Sequence, residues 1–308
     1  MCFSISLVLV VLLSVGFLTL FERKVIAFCQ RRKGPEMVGF CGLGQPIADG
    51  LKLLSKEFFF PGCSNKFLYL FGPFVMLFHS LILWSCSPGV WGSGLFSAWS
   101  CLYILAVMSV GVYGMVMCGW SSNSKYSMLG AVRGLAQVIS YEVMLVFIYL
   151  VPLFLGYSFN LVDVMSSSGL NFLVVFPFLA GWFFCVLAEA HRAPFDFIEG
   201  ESELVSGFNV EYGGVGFTGI FIAEYSGIVF HSVLMSVLYF GGYLGSLLEV
   251  FLVTFMVSFF SLIGLFIIVL CRCAFPRYRY DLLMSLIWCT ILPVLMGVYC
   301  CYLLVIGV

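Results

Sequence analysis

The feature that most constrains this chain is a series of continuous apolar runs, each about 20 residues long, the length at which a helix crosses a hydrocarbon core about 30 Å thick. The runs do not alternate with period two over short segments, so they read as helices and not as strands of a barrel. In lipid only these two structures satisfy the backbone. Composition agrees: 62% of the 308 residues are hydrophobic and 9% are charged, with a mean hydropathy of +1.12. A soluble domain carries about 25% charged residues. The expected fold is therefore all-α, a polytopic membrane protein forming one transmembrane domain over 1–308. Spans are expected near 2–21, 67–88, 95–118, 130–155, 170–189, 213–240, 244–271 and 282–306, about eight in all. The first run has no basic residues before it and no clear cleavage site, so it reads as a span and not as a signal peptide.

Charge tests the count. All 14 Lys and Arg residues fall in the connections after spans one, three, five and seven or at the helix ends beside them. The opposite side carries only Asp163 and Glu249. An error of one span would scatter the cations over both sides. By the positive-inside rule the odd-numbered connections, including the long ones at 22–66 and 190–212, face the cytoplasm or its organellar equivalent. Both termini then face the other side. A net charge of −1 gives no bulk attraction to nucleic acid.

Within the first connection, Pro46 suits a first helical turn. Ile47, Leu51, Leu54 and Phe58 then recur at helical spacing, with Asp49, Lys52, Lys56 and Glu57 mostly on other faces. The spacing predicts an amphipathic helix over 47–59, lying in the membrane interface.

Three carboxylates carry the chemical interest. Glu142 lies well inside the fourth span, Glu224 well inside the sixth, and Glu189 ends the fifth. A charge at mid-membrane costs about 2.5–3.5 kcal/mol on insertion scales. Such a group usually faces the protein interior, where a carboxyl can take and release protons near neutral pH. The alternative is a structural hydrogen bond between helices; Glu189 is the weaker candidate because a helix end can be wet. The connection from Arg192 to Tyr212 sets Asp196, Glu199, Glu201, Glu203 and Glu211 against one arginine. It reads either as a solvated loop docking a basic partner or as a funnel collecting protons for Glu189. Of the three histidines, His231 lies seven residues after Glu224 and so shares its helix face. A hydrogen-bonded structural role is the ordinary reading for such a histidine. The 13 cysteines include no CxxC, and most lie within apolar runs as small buried hydrophobes. Neither a metal site nor a redox centre is expected in this chain, and no nucleotide-binding or nucleophile motif is found.

The polar segments have a specific resemblance. Glu22-Arg23-Lys24, Arg32-Lys33-Gly34-Pro35 and Gly44-Gln45-Pro46-Ile47-Ala48-Asp49-Gly50 with Lys52 open the series. Gly119 to Tyr126, Gly130-Ala131-Val132-Arg133 and Ala136 to Val143 follow. The strongest match runs through Ala188-Glu189, Arg192-Ala193-Pro194-Phe195-Asp196, Glu199 to Asn209 and Glu211-Tyr212. Ala223-Glu224-Tyr225 and Phe275 to Asp281 complete it. In these motifs, which cover the whole chain, the sequence resembles the chain 1 family of NADH:ubiquinone oxidoreductase, respiratory complex I. Glu36 stands where that family usually has Asn, and His191 where Asn is common.

The resemblance implies a heel joining the membrane arm to the peripheral arm, with the first helix, amphipathic helix, sixth span and basic loops enclosing a quinone tunnel. Quinone is implied as substrate. NADH, FMN and iron–sulfur clusters are implied in partner subunits of the complex and not in this chain. Carried across by motif, the quinone site would include Arg23, Asp49, Phe221, Tyr225 and Arg272. The proton path would include Glu142, Glu189 and Glu224, fed by Asp196, Glu199, Glu201 and Glu203. The implied location is the mitochondrial inner membrane, with basic loops in the matrix and both termini on the intermembrane-space side. A secondary transporter, a passive anchor for redox subunits and a membrane-bound hydrogenase subunit are the competing classes. The transporter lacks its usual sign, an internal repeat.

Overall fold

A computed structural model describes residues 2–87, 97–168, 172–198, 200, 204–242 and 247–306. Its elements are helices: α1 (Cys2–Cys29), α2 (Gln45–Leu54), α3 (Lys66–Trp84), α4 (Ser100–Ser121), α5 (Lys125–Gly156), α6 (Leu161–Ser168), α7 (Phe172–Glu189), α8 (Gly214–Phe240) and α9 (Leu247–Ala274). The last span begins as α10 (Tyr280–Ser285), passes through a π-helical segment (Leu286–Ile291) and continues as α11 (Leu292–Ile306). Seven of the spans are long and apolar enough to cross a membrane among the described residues, and the apolar part of α7, Pro177–Glu189, is shorter. The protein is an all-helical polytopic membrane protein.

Three boundaries differ from the sequence reading. The first span continues eight residues past Phe21 to Cys29, because Glu22, Arg23 and Lys24 are adequate helix formers. It stops where Arg31 turns left-handed, with the Arg32 amide donating back to the Ala27 carbonyl. The amphipathic helix ends at Leu54, short of Phe58. Pro61 disfavours helix just upstream, and Phe58 leaves the helical line to pack against Phe60 and Tyr69. The fifth helix begins at Lys125, capped by the Ser124 hydroxyl. The short helix α6, with Asp163 in its first turn, has no counterpart among the expected elements. On α2 the apolar residues Ile47, Leu51 and Leu54 stay exposed, as an interfacial helix requires.

The helix α8 is the hub of the bundle. It touches α1, α2, α3, α6, α7 and α9, and 72% of its apolar window is buried, against 17% for the last span. Small residues allow the close approach: Gly216, Thr218, Ala223, Ser226, Ser232 and Ser236 are all buried. The serine hydroxyls donate to carbonyls one turn back, as Ser226 does to Ala223 at 2.9 Å, so burying them leaves no orphaned donor.

Among its described residues, the connection after α7 is tied down at several points. Phe195, Ile198, Leu204 and Phe208 are buried. The Gln137 amide donates to the Ala188 and Phe195 carbonyls at 2.8 and 2.9 Å. Ser127 Oγ donates to the Phe208 carbonyl, and Tyr69 Oη to that of Glu211. These bonds fix the segment that carries the polar groups described next.

Candidate functional site

Two buried polar sites lie side by side. The first gathers on Glu22, at the seam of α1, α8 and α9. The helix extension past Phe21 places Glu22 inside the bundle, where its side chain is 7% exposed. Tyr225 Oη donates to Glu22 Oε2 at 2.6 Å. Arg192 Nη1 lies 3.6 Å from Oε1, and Arg272 Nη1 donates to the same oxygen. The Arg192 guanidinium also sits over the Tyr225 ring, 4.4 Å from its centre, and Phe221 packs on that ring at 4.5 Å. Two cations and a phenol thus surround one carboxylate, in an assembly that is costly to leave incomplete. Apolar residues Leu18, Ile228, Ile268 and Val269 line the cleft with these groups.

The second site is a cavity of about 90 Å³ enclosed by α3, α4, α5, α8 and the end of α7. Glu189, Glu224, His79, His191 and His231 all line it. His231 Nε2 faces Glu189 Oε2 at 3.2 Å, and His231 Nδ1 has no hydrogen-bond partner. His79 bonds to the backbone of Val107 through one ring nitrogen, leaving Nε2 unpartnered. Gly111 makes room for this ring: a Cβ there would stand 2.7 Å from His79 Cε1. His191, just beyond α7, is buried, and burial pushes its imidazole down to about 4. It is neutral at physiological pH.

The two sites share a wall. Glu224 and Tyr225 are consecutive on α8, one lining the cavity and the other bonding Glu22. His191 and Arg192 repeat this on the loop. Ile228 lines both spaces.

The sequence-predicted residues distribute as follows. Tyr225, Phe221 and Arg272 join the Glu22 site. Arg23 pairs instead with Asp49 at 2.7 Å, where both are substantially exposed, and Gln45 donates to Asp49 at 2.8 Å. This pair fastens α2 to α1. Glu189 and Glu224 meet at the cavity. Glu142, on α5, does not line it; one carboxyl oxygen is buried without a hydrogen-bond partner, and the group interacts electrostatically with Glu189. Asp196 pairs with Arg277 at 3.2 Å. Glu199, Glu201 and Glu203 lie outside the described residues. Glu22 and Arg192 stand within the resemblance motifs, yet sequence reasoning assigns neither a role. The signal available for Glu22 is its position next to an apolar run.

An apolar groove of about 380 Å³ runs between the end of α2, α3 and α8, lined by Leu54, Phe58, Phe74, Leu77, Val215 and Ile222 among others.

The model of the NADH dehydrogenase family matches residues 3–303. The protein named NADH-ubiquinone oxidoreductase chain 1 in Pecten maximus is 62% identical, over 98% of this chain and 87% of its own length. The proteins of that name in Aedes aegypti and Mytilus edulis are 47% and 43% identical, over 94% and 97% of this chain and 90% and 95% of their own lengths. With matches this long running through the motifs that build both polar sites, the chain belongs to the NADH dehydrogenase family.

Proposed function

We propose that this chain is the membrane-arm subunit of respiratory complex I that guides quinone to its reduction site and couples that reduction to proton translocation. It acts as part of a proton-translocating NADH:ubiquinone reductase. NADH, FMN and the iron–sulfur clusters belong to partner subunits, and quinone is the substrate. The complex sits in the mitochondrial inner membrane, with the basic connections in the matrix and both termini in the intermembrane space.

The observation that carries this reading is the shared wall between the Glu22 site and the Glu189–Glu224 cavity. Quinone chemistry needs an apolar path with a polar end. The groove beside α2 and α8 has the apolar character for an isoprenoid tail; the polar and aromatic groups assigned to the quinone stand elsewhere, Tyr225 and Arg272 at the Glu22 cleft, Phe221 on the Tyr225 ring, and Arg23 with Asp49 where α1 meets α2. Reduction of the quinone takes up protons and so changes the local charge. In low dielectric such a change acts over several ångströms, because little water screens it. Glu224 adjoins Tyr225 in sequence, so charge altered at one site is felt at the other. Glu189, Glu142 and Glu224 then exchange protons in turn, and Asp196, Glu199, Glu201 and Glu203 feed them from the matrix side.

The test is Glu142→Gln in the assembled complex. Quinone-linked NADH oxidation and proton pumping should fall together, while the complex keeps its size on a native gel. Full coupled activity in that variant would remove the carboxylate path. A small, flavin-free particle carrying this chain, without quinone-linked activity, would instead favour a transporter.

A further inference from the structure

The carboxylates share the cavity with three imidazoles. We propose that Glu189 and His231 form a single proton-holding unit, in which the imidazole accepts a proton from the cavity and hands it to Glu224. The proposal rests on the carboxylate path set out above and names the group that moves the proton within it.

The geometry fixes which nitrogen does what. His231 Nε2 is 3.2 Å from Glu189 Oε2, so that nitrogen carries hydrogen and donates to the carboxylate. In the neutral ring the other nitrogen, Nδ1, is then a bare acceptor. It is buried and has no hydrogen-bond partner. The side chain is only 4% exposed, and the ring lines a cavity of about 90 Å³ that Glu224 also lines. The lining is largely apolar but carries carboxylates and imidazoles, and a space of that size can hold a few water molecules, at about 30 Å³ each in the liquid.

The step balances simply. A cavity proton binds the Nδ1 lone pair, turning the imidazole–carboxylate pair, net −1, into an imidazolium–carboxylate pair, net zero. The N–H at Nδ1 then breaks, its electron pair stays on nitrogen, and the proton passes through the cavity to the Glu224 carboxylate. Glu189 keeps its bond to Nε2 throughout and orients the ring, as carboxylates do for working imidazoles.

The surroundings favour this role. From α3, His79 also lines this space, its ring held by the backbone of Val107 and its Nε2 buried without a hydrogen-bond partner. His191 is the third imidazole, supplied by the loop after α7. The α4 contribution is Met108, Gly111, Val112 and Met115, with no titratable group, and that of α5 is Val138. Glu142 acts on Glu189 from α5 without lining the cavity. The titratable groups facing His231 are therefore Glu189, Glu224, His79 and His191.

The test compares His231→Gln with His231→Leu in the assembled complex. The glutamine amide can still donate to Glu189 but cannot carry a proton. Both variants should lose quinone-linked turnover and pumping by about tenfold or more. Electron delivery from NADH to an artificial acceptor should persist in both. Near-normal pumping in His231→Gln, with loss only in His231→Leu, would reduce His231 to a structural donor and overturn the inference. Failure of both variants to assemble would overturn it as well, since the imidazole would then be a fold requirement. Glu189→Gln and Glu224→Gln separate the levels. If they retain full pumping, the carboxylate path itself falls and this inference with it. If they lose pumping while His231→Gln keeps it, only this inference falls.

Discussion

The two polar sites solve the problem of buried charge in opposite ways. Around Glu22 every strong group is matched: the carboxylate accepts from Tyr225 and Arg272 and faces Arg192. Around Glu189 the groups outnumber their bonds, with unpartnered nitrogens on His79, His191 and His231. A saturated cluster is rigid and resists a change of protonation. An under-bonded cluster lined by imidazoles and carboxylates can change state at small structural cost. The difference sets a fixed electrostatic post beside a movable one, separated by the thickness of a single helix.

That contrast can be broken at either post. The largest effect is expected from Glu22→Gln, which leaves two guanidiniums facing a neutral amide. Breaking a buried ion pair from one side costs about 3–5 kcal/mol, so the assembled complex should become scarce on native gels. Normal assembly would mean that Glu22 is not the keystone of its cluster. Next comes the wall itself. Gln137→Leu removes one hydrogen bond from each of the Ala188 and Phe195 carbonyls, on either side of His191 and Arg192, and leaves each with a single backbone donor. At about 0.5–1.5 kcal/mol for each hydrogen bond lost, thermal inactivation should start at lower temperature, with both sites loosened together.

Acid sharpens the comparison further. Burial holds His191 near 4 against an ordinary value of 6.5. The folded chain therefore binds fewer protons there than the unfolded one, and the stabilising contribution is intact above about pH 6.5 and lost as pH falls toward 4. The loss is about 2 kcal/mol at pH 5, since each tenfold difference in proton affinity between the folded and unfolded chain is worth about 1.4 kcal/mol. The acid sensitivity of thermal inactivation should be shallower in His191→Asn than in the parent. Equal slopes would show that His191 is not the group responsible. The smallest effect belongs to Arg23→Met. Its partner Asp49 is partly exposed, and such pairs are worth about 0–1 kcal/mol. Stability should barely change; a large loss would mean that α2 depends on this single fastening.

How much of the molecule is legible in the sequence follows from range. Each span announces itself within its own residues, as do the interfacial helix and the intramembrane positions of Glu142 and Glu224. The Glu22 cluster is hidden because its partners come from distant segments, and because Arg23 next door has the larger side chain and the more obvious charge. The seven-residue spacing correctly puts His231 on the face of Glu224, yet its bonded partner is Glu189 on another helix. No spacing rule within one helix reveals a bond between two. The end of α2 escapes the sequence pattern for a related reason: Phe58 continues the helical spacing, but its ring belongs to a cluster with Tyr69.

The Glu22 cluster also imposes an order on biosynthesis. Arg272 lies 250 residues after Glu22, and a ribosome making about 5–20 residues per second needs roughly 12 to 50 seconds to cover that interval. During that time the first span stands in the bilayer with its carboxylate lacking Arg272, a condition a finished chain never shows. Chains halted before Arg272 should therefore lack the guanidinium that closes α1 against α9.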